Sequence, residues 1–385
     1  MVPTGLAENR RIRVGVPLPL TGPKAGFGKM HHQSYLLALE EINNSGGLRR
    51  GTYAGYQLEF LFDDTGGKAE TGRKVVEKLI SKNKVSIIMG GYSSAVAAAI
   101  AKVCEQNKIP FLSPSAAADE ITQNRWKYTF RINPPVNDYA TGLQEFLIGV
   151  VRPRSMAILY ENSRFGSSMA KAMRGWCEEN RIVVVMFEPY EPWASDFKGV
   201  ISGVYALNPD VIFTTARLAD AILLVEQMAE LNVRPGLLAG IGGTFAMPAF
   251  IQSVGMLSEN VVSAALWVPN VKYPGAEKFA SKYKGKYGTE SDYHGAQAYA
   301  AAYVCRDILE RSKSLEAKSL LIALKETDMM TVFGPVKFVS YEKYRNQNKL
   351  SPLVVQIQNG KPVTIWPPEA ATAGFVNPAG AWYQR

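Results

Sequence analysis

Apolar, strand-like runs alternate with helix-like segments along most of this chain, and this alternation constrains the fold more than any other feature. Arg11 to Leu20 is an apolar run that ends in Thr21-Gly22-Pro23, and Gln33 to Ile42 has helical spacing. Strands that alternate with helices of this length form βαβ units, whose strands pair in parallel. The pattern continues with strands over Tyr56 to Phe62, Val85 to Gly90 and Pro110 to Ser113, and with helices over Glu70 to Ser81 and up to Gln106.

A second series of the same kind begins after Asn133-Pro134-Pro135. Its predicted strands are Ser155 to Tyr160, Ile182 to Phe187, Asp210 to Thr214, Gly236 to Gly240 and Val261 to Val268, and its helices lie near Tyr139 to Gly149, Ser168 to Asn180, Phe197 to Ala206 and Ala219 to Leu231. A helix over Gly295 to Ser312 and strands over Phe333 to Val339 and Val354 to Ile357 follow. Two series with a proline-rich break between them predict an α/β protein with two doubly wound domains.

Composition and charge exclude several classes of protein. The 385 residues are 47% hydrophobic, which is enough for a sizeable core without a metal or disulfide scaffold. The net charge of +9 is spread along the chain without a cationic block, so we expect no nucleic-acid partner. Cys104, Cys177 and Cys305 are far apart and form no CxxC motif, which argues against a metal or redox site.

Motifs of catalysis and cofactor binding are missing from the sequence. Adjacent His31 and His32 cannot both face one metal from a regular helix, so we expect these two side chains at the surface. The sequence has no GxSxG elbow, no P-loop and no GxGxxG after the first strand, and the glycines around Gly242 indicate a turn at a strand end. We therefore expect no enzyme, no cofactor and no metal. An α/β enzyme with an unrecognised site remains the alternative from another class.

Small polar residues follow two neighbouring predicted strands, where each strand ends. The segments are Gly90-Gly91-Tyr92-Ser93-Ser94 and Ser113-Pro114-Ser115-Ala116-Ala117. Ligands of open α/β sheets bind outside the carboxyl ends of the strands. Serine hydroxyls and free backbone N–H groups at a helix N-terminus favour an anion, so these loops predict a site for the carboxylate of a small ligand. The alternative is that these serines act only as helix N-caps.

The ordered set of these segments resembles the periplasmic solute-binding proteins of ABC importers, of the branched-chain amino-acid type, over nearly the whole chain. The segments that carry the resemblance are Pro19-Leu20-Thr21-Gly22-Pro23, Ala38-Leu39-Glu40-Glu41-Ile42-Asn43 with Gly46-Gly47, Asp63-Asp64, the two serine loops, and Phe165-Gly166. The resemblance implies two lobes joined by three crossovers, with a ligand in the cleft and closure by a hinge. It places the crossovers near Asn133, Val268 and Thr331, which gives residues 1–133 with 268–331 in one lobe and 134–267 with 332–385 in the other.

The resemblance also implies which residues hold the ligand. Ser94, with Ser93 beside it, matches the family's carboxylate-binding serine. The contacts after the fourth strand fall on Ser115, Ala116 and Ala117. The complete predicted set is Phe27, Tyr92, Ser93, Ser94, Ser115, Ala116, Ala117, Phe165, Arg217, Gly242 and Phe245.

Two positions depart from the pattern of an amino-acid binder. The family's threonine that accepts the ligand's α-ammonium is replaced by Ala117, and its second-lobe acid falls near Gly242. Since a buried ammonium without an acceptor costs several kcal/mol, these residues favour an aromatic or apolar carboxylate over an α-amino acid. The open alternatives are that Glu161 or Asp220 supplies the missing charge, and that Arg217 faces either the cleft or solvent.

The resemblance thus implies a binding protein that captures a small carboxylate and delivers it to an ABC permease. The alternatives are a branched-chain or hydrophobic amino-acid binding protein, or an amide- or amino-acid-sensing receptor of the same fold. Residues Met1 to Arg13 lack the apolar segment of a signal peptide. The resemblance implies a periplasmic location after removal of a signal peptide, whereas composition alone fits a cytoplasmic protein equally well.

Overall fold

A computed structural model describes residues 10–233, 236–241 and 243–377, and it divides the chain into two compact units. The first unit combines Met1–Val136 with Tyr273–Leu350, and the second combines Asn137–Lys272 with Ser351–Arg385. The chain therefore changes unit after Val136, after Lys272 and after Leu350. Within the described ranges, no helix combines the length and the apolar character that a membrane span requires.

The strands are short and lie in two sheets. They are β1 (Arg11–Leu18), β2 (Gln57–Asp64), β3 (Ile87–Met89), β4 (Phe111–Ser113), β5 (Thr129–Arg131), β6 (Ser155–Glu161), β7 (Val183–Tyr190), β8 (Val211–Thr214), β9 (Leu238–Gly240), β10 (Val262–Ala265), β11 (Asp328–Thr331), β12 (Gly334–Tyr341), β13 (Tyr344–Asn348), β14 (Leu353–Gln358) and β15 (Lys361–Trp366).

The helices connect most of these strands. They are α1 (Ala25–Asn44), α2 (Ala69–Ser81), α3 (Ser94–Asn107), α4 (Glu120–Gln123), α5 (Thr141–Phe146), α6 (Arg164–Glu179), α7 (Lys198–Leu207), α8 (Leu218–Glu230), α9 (Pro248–Val254), α10 (Ala276–Tyr287), α11 (Tyr293–Arg311) and α12 (Ala317–Lys325). A π-helical turn, Leu147–Val151, extends α5.

Each unit has a doubly wound sheet, which confirms the predicted fold class. Among the described residues, the first sheet has the order β11-β12-β13-β5-β4-β3-β1-β2 and the second the order β15-β14-β10-β9-β8-β6-β7. Strands β2 to β5 run parallel around β1, and β7 to β10 run parallel around β6. The winding direction therefore reverses beside β1 in the first unit and beside β6 in the second. At such a switch point, two loops leave the sheet in opposite directions and open a crevice.

The third crossover between the two units was predicted near Thr331, and this prediction is wrong. The strand after it, β12, pairs antiparallel with β13, and β13 pairs parallel with β5 at Gln347 and Arg131. Both strands therefore belong to the first sheet, and the change of unit comes only after Leu350. The resemblance to the family gave no information on this hairpin, whose alternate residues are buried in the first unit.

The sheets are buried because helices cover both of their faces. In β1, Ile12, Val14, Val16 and Leu18 are at most 2% exposed. Burial of one such side chain stabilises the fold by about 1.5–3 kcal/mol. Helices α2 and α3 pack their apolar residues against the first sheet, while α7, α8 and α9 contribute to the core of the second.

A buried guanidinium fixes the loop after β4. Arg131 is fully buried and donates from Nε to Oε1 of Gln347 at 2.6 Å and from Nη1 to the carbonyl of Ala118 at 2.6 Å. Its Nη2 donates to Oγ1 of Thr122 at 2.9 Å. Since the residues just before Ala118 include three of the predicted site residues, this network holds part of the candidate site in place.

Replacement of Gln347 by leucine tests this network. The Gln347→Leu variant removes the acceptor of the Arg131 Nε–H, and loss of a hydrogen bond to a charged group lowers the free energy of unfolding by about 1.5–3 kcal/mol. Gln106→Leu, at an exposed position of α3, is the matched control and should change stability by less than about 0.5 kcal/mol. Urea denaturation compares the two variants. Equal stability would show that the network contributes nothing.

Candidate functional site

The two loops at the switch point of the first unit bring Phe27 and Tyr92 together. Their rings stack with centroids 4.6 Å apart and an interplanar angle of 12°. Phe27 lies in the first turn of α1 and is 40% exposed. Gly28 follows it because a Cβ there would lie 1.9 Å from the carbonyl oxygen of Pro19. The close approach of α1 to β1 therefore sets the position of the Phe27 ring.

Asp64 at the end of β2 anchors the loop that leads into α1. Its Oδ1 accepts the backbone N–H of Leu20 at 2.8 Å, and its Oδ2 accepts the hydroxyl of Thr21 at 2.5 Å. The Thr21-Gly22 and Asp63-Asp64 segments are thus two halves of one structural contact, which holds the loop that leads to Phe27.

Ser93 and Ser94 begin α3, at the carboxyl end of β3. Ser93 is the N-cap, and its Oγ is buried without a hydrogen-bond partner among the described residues. Oγ of Ser94 accepts the backbone N–H of Ala118 at 3.0 Å, so the hydroxyl proton of Ser94 is available to a further acceptor. On the adjacent strand β4, the Oγ of Ser113 is also buried and unpaired within the described part of the chain. A helix N-terminus with uncommitted hydroxyl donors suits an anion.

His31 lies behind this site and bonds directly to Ser115. Its Nε2 is 2.7 Å from Oγ of Ser115, and its Nδ1 is 2.8 Å from the backbone carbonyl oxygen of Phe27. A carbonyl oxygen only accepts, so Nδ1 carries the proton and Nε2 accepts the hydroxyl proton of Ser115. Burial lowers the pKa of His31 to about 4, with a further contribution from nearby His294, so the imidazole is neutral at pH 7.

A second histidine completes the aromatic wall of the first unit. The ring of His294, in the first turn of α11, lies 5.1 Å from that of Phe27 and 5.3 Å from that of Tyr92. Asp292 is the N-cap of α11 and accepts the backbone N–H of His294 at 2.8 Å. Nδ1 of His294 lies 3.1 Å from the same carboxylate. His294 is therefore oriented by Asp292 and presents its ring to the stacked pair.

The switch point of the second unit carries an ion pair between the end of β6 and the start of α8. Nε of Arg217 donates to Oε2 of Glu161 at 2.5 Å, and its guanidinium lies over the ring of Trp193 at 5.6 Å. Glu161 is 4% exposed, whereas the Arg217 side chain is 45% exposed. The hydrogen bond to Glu161 raises the pKa of Arg217 further above its ordinary value. Arg217 therefore neutralises a buried acid as well as facing solvent.

Asp220 is a second buried acid in the same unit. It is 1% exposed, its Oδ1 accepts the backbone N–H of Trp193 at 3.0 Å, and its Oδ2 has no partner among the described residues. Burial raises the pKa of Asp220, and the negative charge of Glu161 raises it further. The hydroxyls of Tyr190 and Thr214 are also buried in this region. Two carboxylates and one guanidinium leave this group with a net negative charge.

The predicted site residues fall into distinct groups. Phe27 and Tyr92 meet, Ser93 and Ser94 lie together at α3, and Ser115 bonds to His31. Ala117 is half-buried in the loop that Arg131 fixes, and Phe165 is half-buried in the first turn of α6. Gly166 follows Phe165 because a Cβ there would lie 2.3 Å from the carbonyl oxygen of Glu161.

Other predictions require correction. Phe245 is fully buried in the core of the second unit and packs edge-on against Phe250, so its ring cannot reach a ligand. The side chain of Ala116 is 1% exposed and belongs to the core beneath α3, so a contact of this residue with a ligand would have to come from its backbone. His31 is completely buried, not at the surface as its polarity suggested. Gly242 lies outside the described residues.

Comparison with known proteins identifies the family. Residues 11–362 match the model of a family described as periplasmic binding protein. The chain belongs to this family. The chain is 28% identical to the Leu/Ile/Val-binding protein homolog 7 of Brucella melitensis biotype 1 over 379 residues, which cover 94% of this chain and 92% of the relative.

Solved structures of similar fold bind chemically different ligands. An ABC transporter substrate-binding protein from Sphaerobacter thermophilus is 20% identical, with a TM-score of 0.77 over 95% of this chain and 99% of that chain. A Streptococcus pneumoniae protein in complex with isoleucine is 20% identical (TM-score 0.70, 92% and 99%). A Rhodopseudomonas palustris protein in complex with 3,4-dihydroxybenzoic acid is 17% identical (TM-score 0.73, 96% and 99%). At these identities the likeness shows the fold alone.

The pH dependence of His31 tests the hydrogen bonds behind the site. The unfolded chain takes up a proton at pH near 6.5, whereas folded His31 does so only near pH 4. The contribution of His31 to stability is therefore constant above about pH 6.5 and falls by about 3 kcal/mol as the pH drops to about 4. NMR titration of the imidazole C–H signals, with His31 assigned by its loss in His31→Gln, measures this pKa. A midpoint near 6.5 would contradict the buried, doubly bonded imidazole.

Proposed function

We propose that this chain is the solute-binding component of an ABC importer and captures a small carboxylate with an aromatic or apolar body. The observation that carries the proposal is the start of α3. There Ser93 has a buried, unpaired hydroxyl, and Ser94 has a hydroxyl proton without an acceptor among the described residues. Both lie beside an exposed aromatic ring, so the first unit offers an anion site and an apolar surface next to each other.

Neutral donors, not a cation, hold the anion in this proposal. His31 is neutral at pH 7, and Arg131 is committed to Gln347, Ala118 and Thr122. The charge of the ligand is then stabilised by the dipole of the 14-residue helix α3 and by serine hydroxyls. Hydrogen bonds from such donors to a carboxylate are worth about 1.5–3 kcal/mol each.

The stacked pair Phe27–Tyr92 gives the site its preference for an apolar body. A planar ligand ring can extend this stack, because offset rings with centroids about 4.5–7 Å apart attract one another beyond the effect of burial alone. Phe27 is 40% exposed, so part of its side chain is available for contact with such a ligand. Benzoate-type acids have both the carboxylate and the flat apolar body that these residues match.

A hydrophobic α-amino acid is the second candidate ligand, and Asp220 specifically favours it. An unpaired carboxylate oxygen in a buried position is an acceptor for an ammonium group, and the second unit supplies one although Gly242 replaces the expected acid. The isoleucine complex of the Streptococcus pneumoniae protein shows that this fold accommodates such ligands.

The remaining parts of the proposal rest on the family. Delivery of the solute requires a permease of the same importer in the membrane, and an importer component of this kind works outside the cytoplasm. No catalytic step is required for either role, so we propose a binding protein and not an enzyme. Absence of turnover of any bound acid, measured by chromatography of the recovered ligand, is the expected result.

Replacement of Ser94 by aspartate tests the anion site. Ser94→Asp removes a donor worth about 1.5–3 kcal/mol and adds a like charge, so affinity for a carboxylate should fall by more than tenfold. Ser281→Asp, at an exposed position of α10 in the same unit, is the matched control and should bind as the unmodified protein does. Isothermal titration calorimetry measures both. Unchanged affinity of Ser94→Asp for the carboxylate would show that the start of α3 does not bind the ligand.

A thermal-shift panel with Asp220→Asn distinguishes the two candidate ligands. Benzoate and 3,4-dihydroxybenzoate should raise the melting temperature, because ligand binding to the folded state alone stabilises it, and Asp220→Asn should not alter this shift. Leucine and isoleucine should raise it less. If leucine gives the larger shift and Asp220→Asn abolishes it, the amino-acid candidate replaces the aromatic acid.

A further inference from the structure

The hydrogen bond between His31 and Ser115 has a direction, and that direction limits what Ser115 can offer. Nδ1 of His31 faces the carbonyl oxygen of Phe27 at 2.8 Å and must be its protonated nitrogen. Nε2, 2.7 Å from Oγ of Ser115, then has only a lone pair in the neutral ring. The Ser115 hydroxyl proton therefore points at His31. What remains on Oγ of Ser115 for any other group is a lone pair.

We propose that the His31–Ser115 pair makes Ser115 a dedicated hydrogen-bond acceptor, so that among acids with the same apolar body the site prefers those that also carry a hydroxyl or ammonium donor. This inference rests on the proposed function of the first unit. Ser115 would be the specificity-determining residue. His31 would be the positioning residue that fixes the direction of the Ser115 hydroxyl proton. The pair thereby replaces the acceptor that is missing at Ala117.

Ser94 has the opposite hydrogen-bonding role to Ser115, which makes the two serines complementary. Its Oγ accepts the N–H of Ala118, so its hydroxyl is a donor. One serine donates and the other accepts, in loops that follow the adjacent strands β3 and β4. A ligand with a carboxylate and a neighbouring donor matches both serines, whereas a simple carboxylate leaves the Ser115 lone pair without a partner once water is excluded.

The direction of the hydrogen bond between His31 and Ser115 does not change over the physiological pH range. The lowered pKa of His31 keeps its ring neutral well below pH 7, so Nε2 stays an acceptor. The groups that face this ring are known from the structure: Tyr92 lies edge-on at 5.6 Å, and the His294 ring, whose Nδ1 bonds to Asp292, lies at 5.9 Å. Burial is the main cause of the neutral state.

The preference for acids with a hydrogen-bond donor can be measured with three acids of similar shape. Phenylacetate, mandelate and phenylglycine share a ring and a carboxylate and carry at the α-carbon a hydrogen, a hydroxyl and an ammonium, respectively. Isothermal titration calorimetry of the unmodified protein should give at least about tenfold tighter binding for mandelate or phenylglycine than for phenylacetate. Ser115→Ala should reduce this ratio to less than about threefold.

Substitutions of His31 separate its positioning role from a merely structural one. His31→Phe removes the acceptor, frees the Ser115 hydroxyl to donate and should reduce the same ratio, whereas His31→Gln retains an acceptor oxygen for Ser115 and should restore it. A loss of packing would weaken all three acids alike and leave the ratio unchanged. That outcome would overturn the role of His31.

Nitrogen-15 NMR of the imidazole gives a readout that needs no ligand. The proposal requires a proton on Nδ1 and a lone pair on Nε2 of His31 at pH 7, and the reverse tautomer would overturn it. Equal binding of the three acids, with weakened binding in Ser94→Asp, would overturn this inference and leave the proposed function intact. Failure of every acid to bind, including benzoate and leucine, would overturn both.

Discussion

The reversal of strand order beside β1 and beside β6 is the constraint on which the rest of the molecule depends. Parallel strands send all their carboxyl ends to one edge, and at a reversal two of the loops there diverge and leave a crevice. In the first unit these loops carry Phe27 and the Tyr92-Ser93-Ser94 segment. In the second they carry Glu161 and Arg217. The functional groups of each unit therefore meet because of topology, although they are far apart in the sequence.

The two units differ in the electrostatics of these crevices. The first combines hydroxyls, a helix N-terminus and a neutral imidazole, which suit an anion with an apolar body. The second holds two buried carboxylates and one guanidinium, which leave a net negative charge. Solved structures of similar fold bind both isoleucine and an aromatic acid, so the fold alone does not decide between these ligands.

Periodicity was sufficient to predict most of the fold. The long alternating segments predicted β1, β2, α2 and α11 close to their observed bounds, whereas α1 begins at Ala25, eight residues before the predicted start at Gln33. Two short strands were not predicted from the sequence. Strand β5 has only three residues, and β13 has the polar sequence YRNQN. The polar side chains of β13 bond to β5, which no pattern of apolar residues reveals, and the third change of unit was misplaced for this reason.

The candidate site was predictable only in part, for a related reason. The serine loops stand out in the sequence, but His31 belongs to no recognisable motif, and only its contact with Ser115 shows why it is there. Phe245 follows a strand end as Phe27 does, yet Gly240 leaves space for its ring in the core. Whether an aromatic residue after a strand packs inward or outward depends on such neighbours and not on its position in the motif.

A crystal structure of the protein with the acid that stabilises it most tests the central claim directly. The account predicts a carboxylate oxygen within about 3.2 Å of Oγ of Ser94, at the start of α3. It also predicts the body of the ligand against the exposed face of Phe27. A carboxylate bound elsewhere, with the hydroxyls of Ser93 and Ser94 bonded only to protein or water, would contradict it.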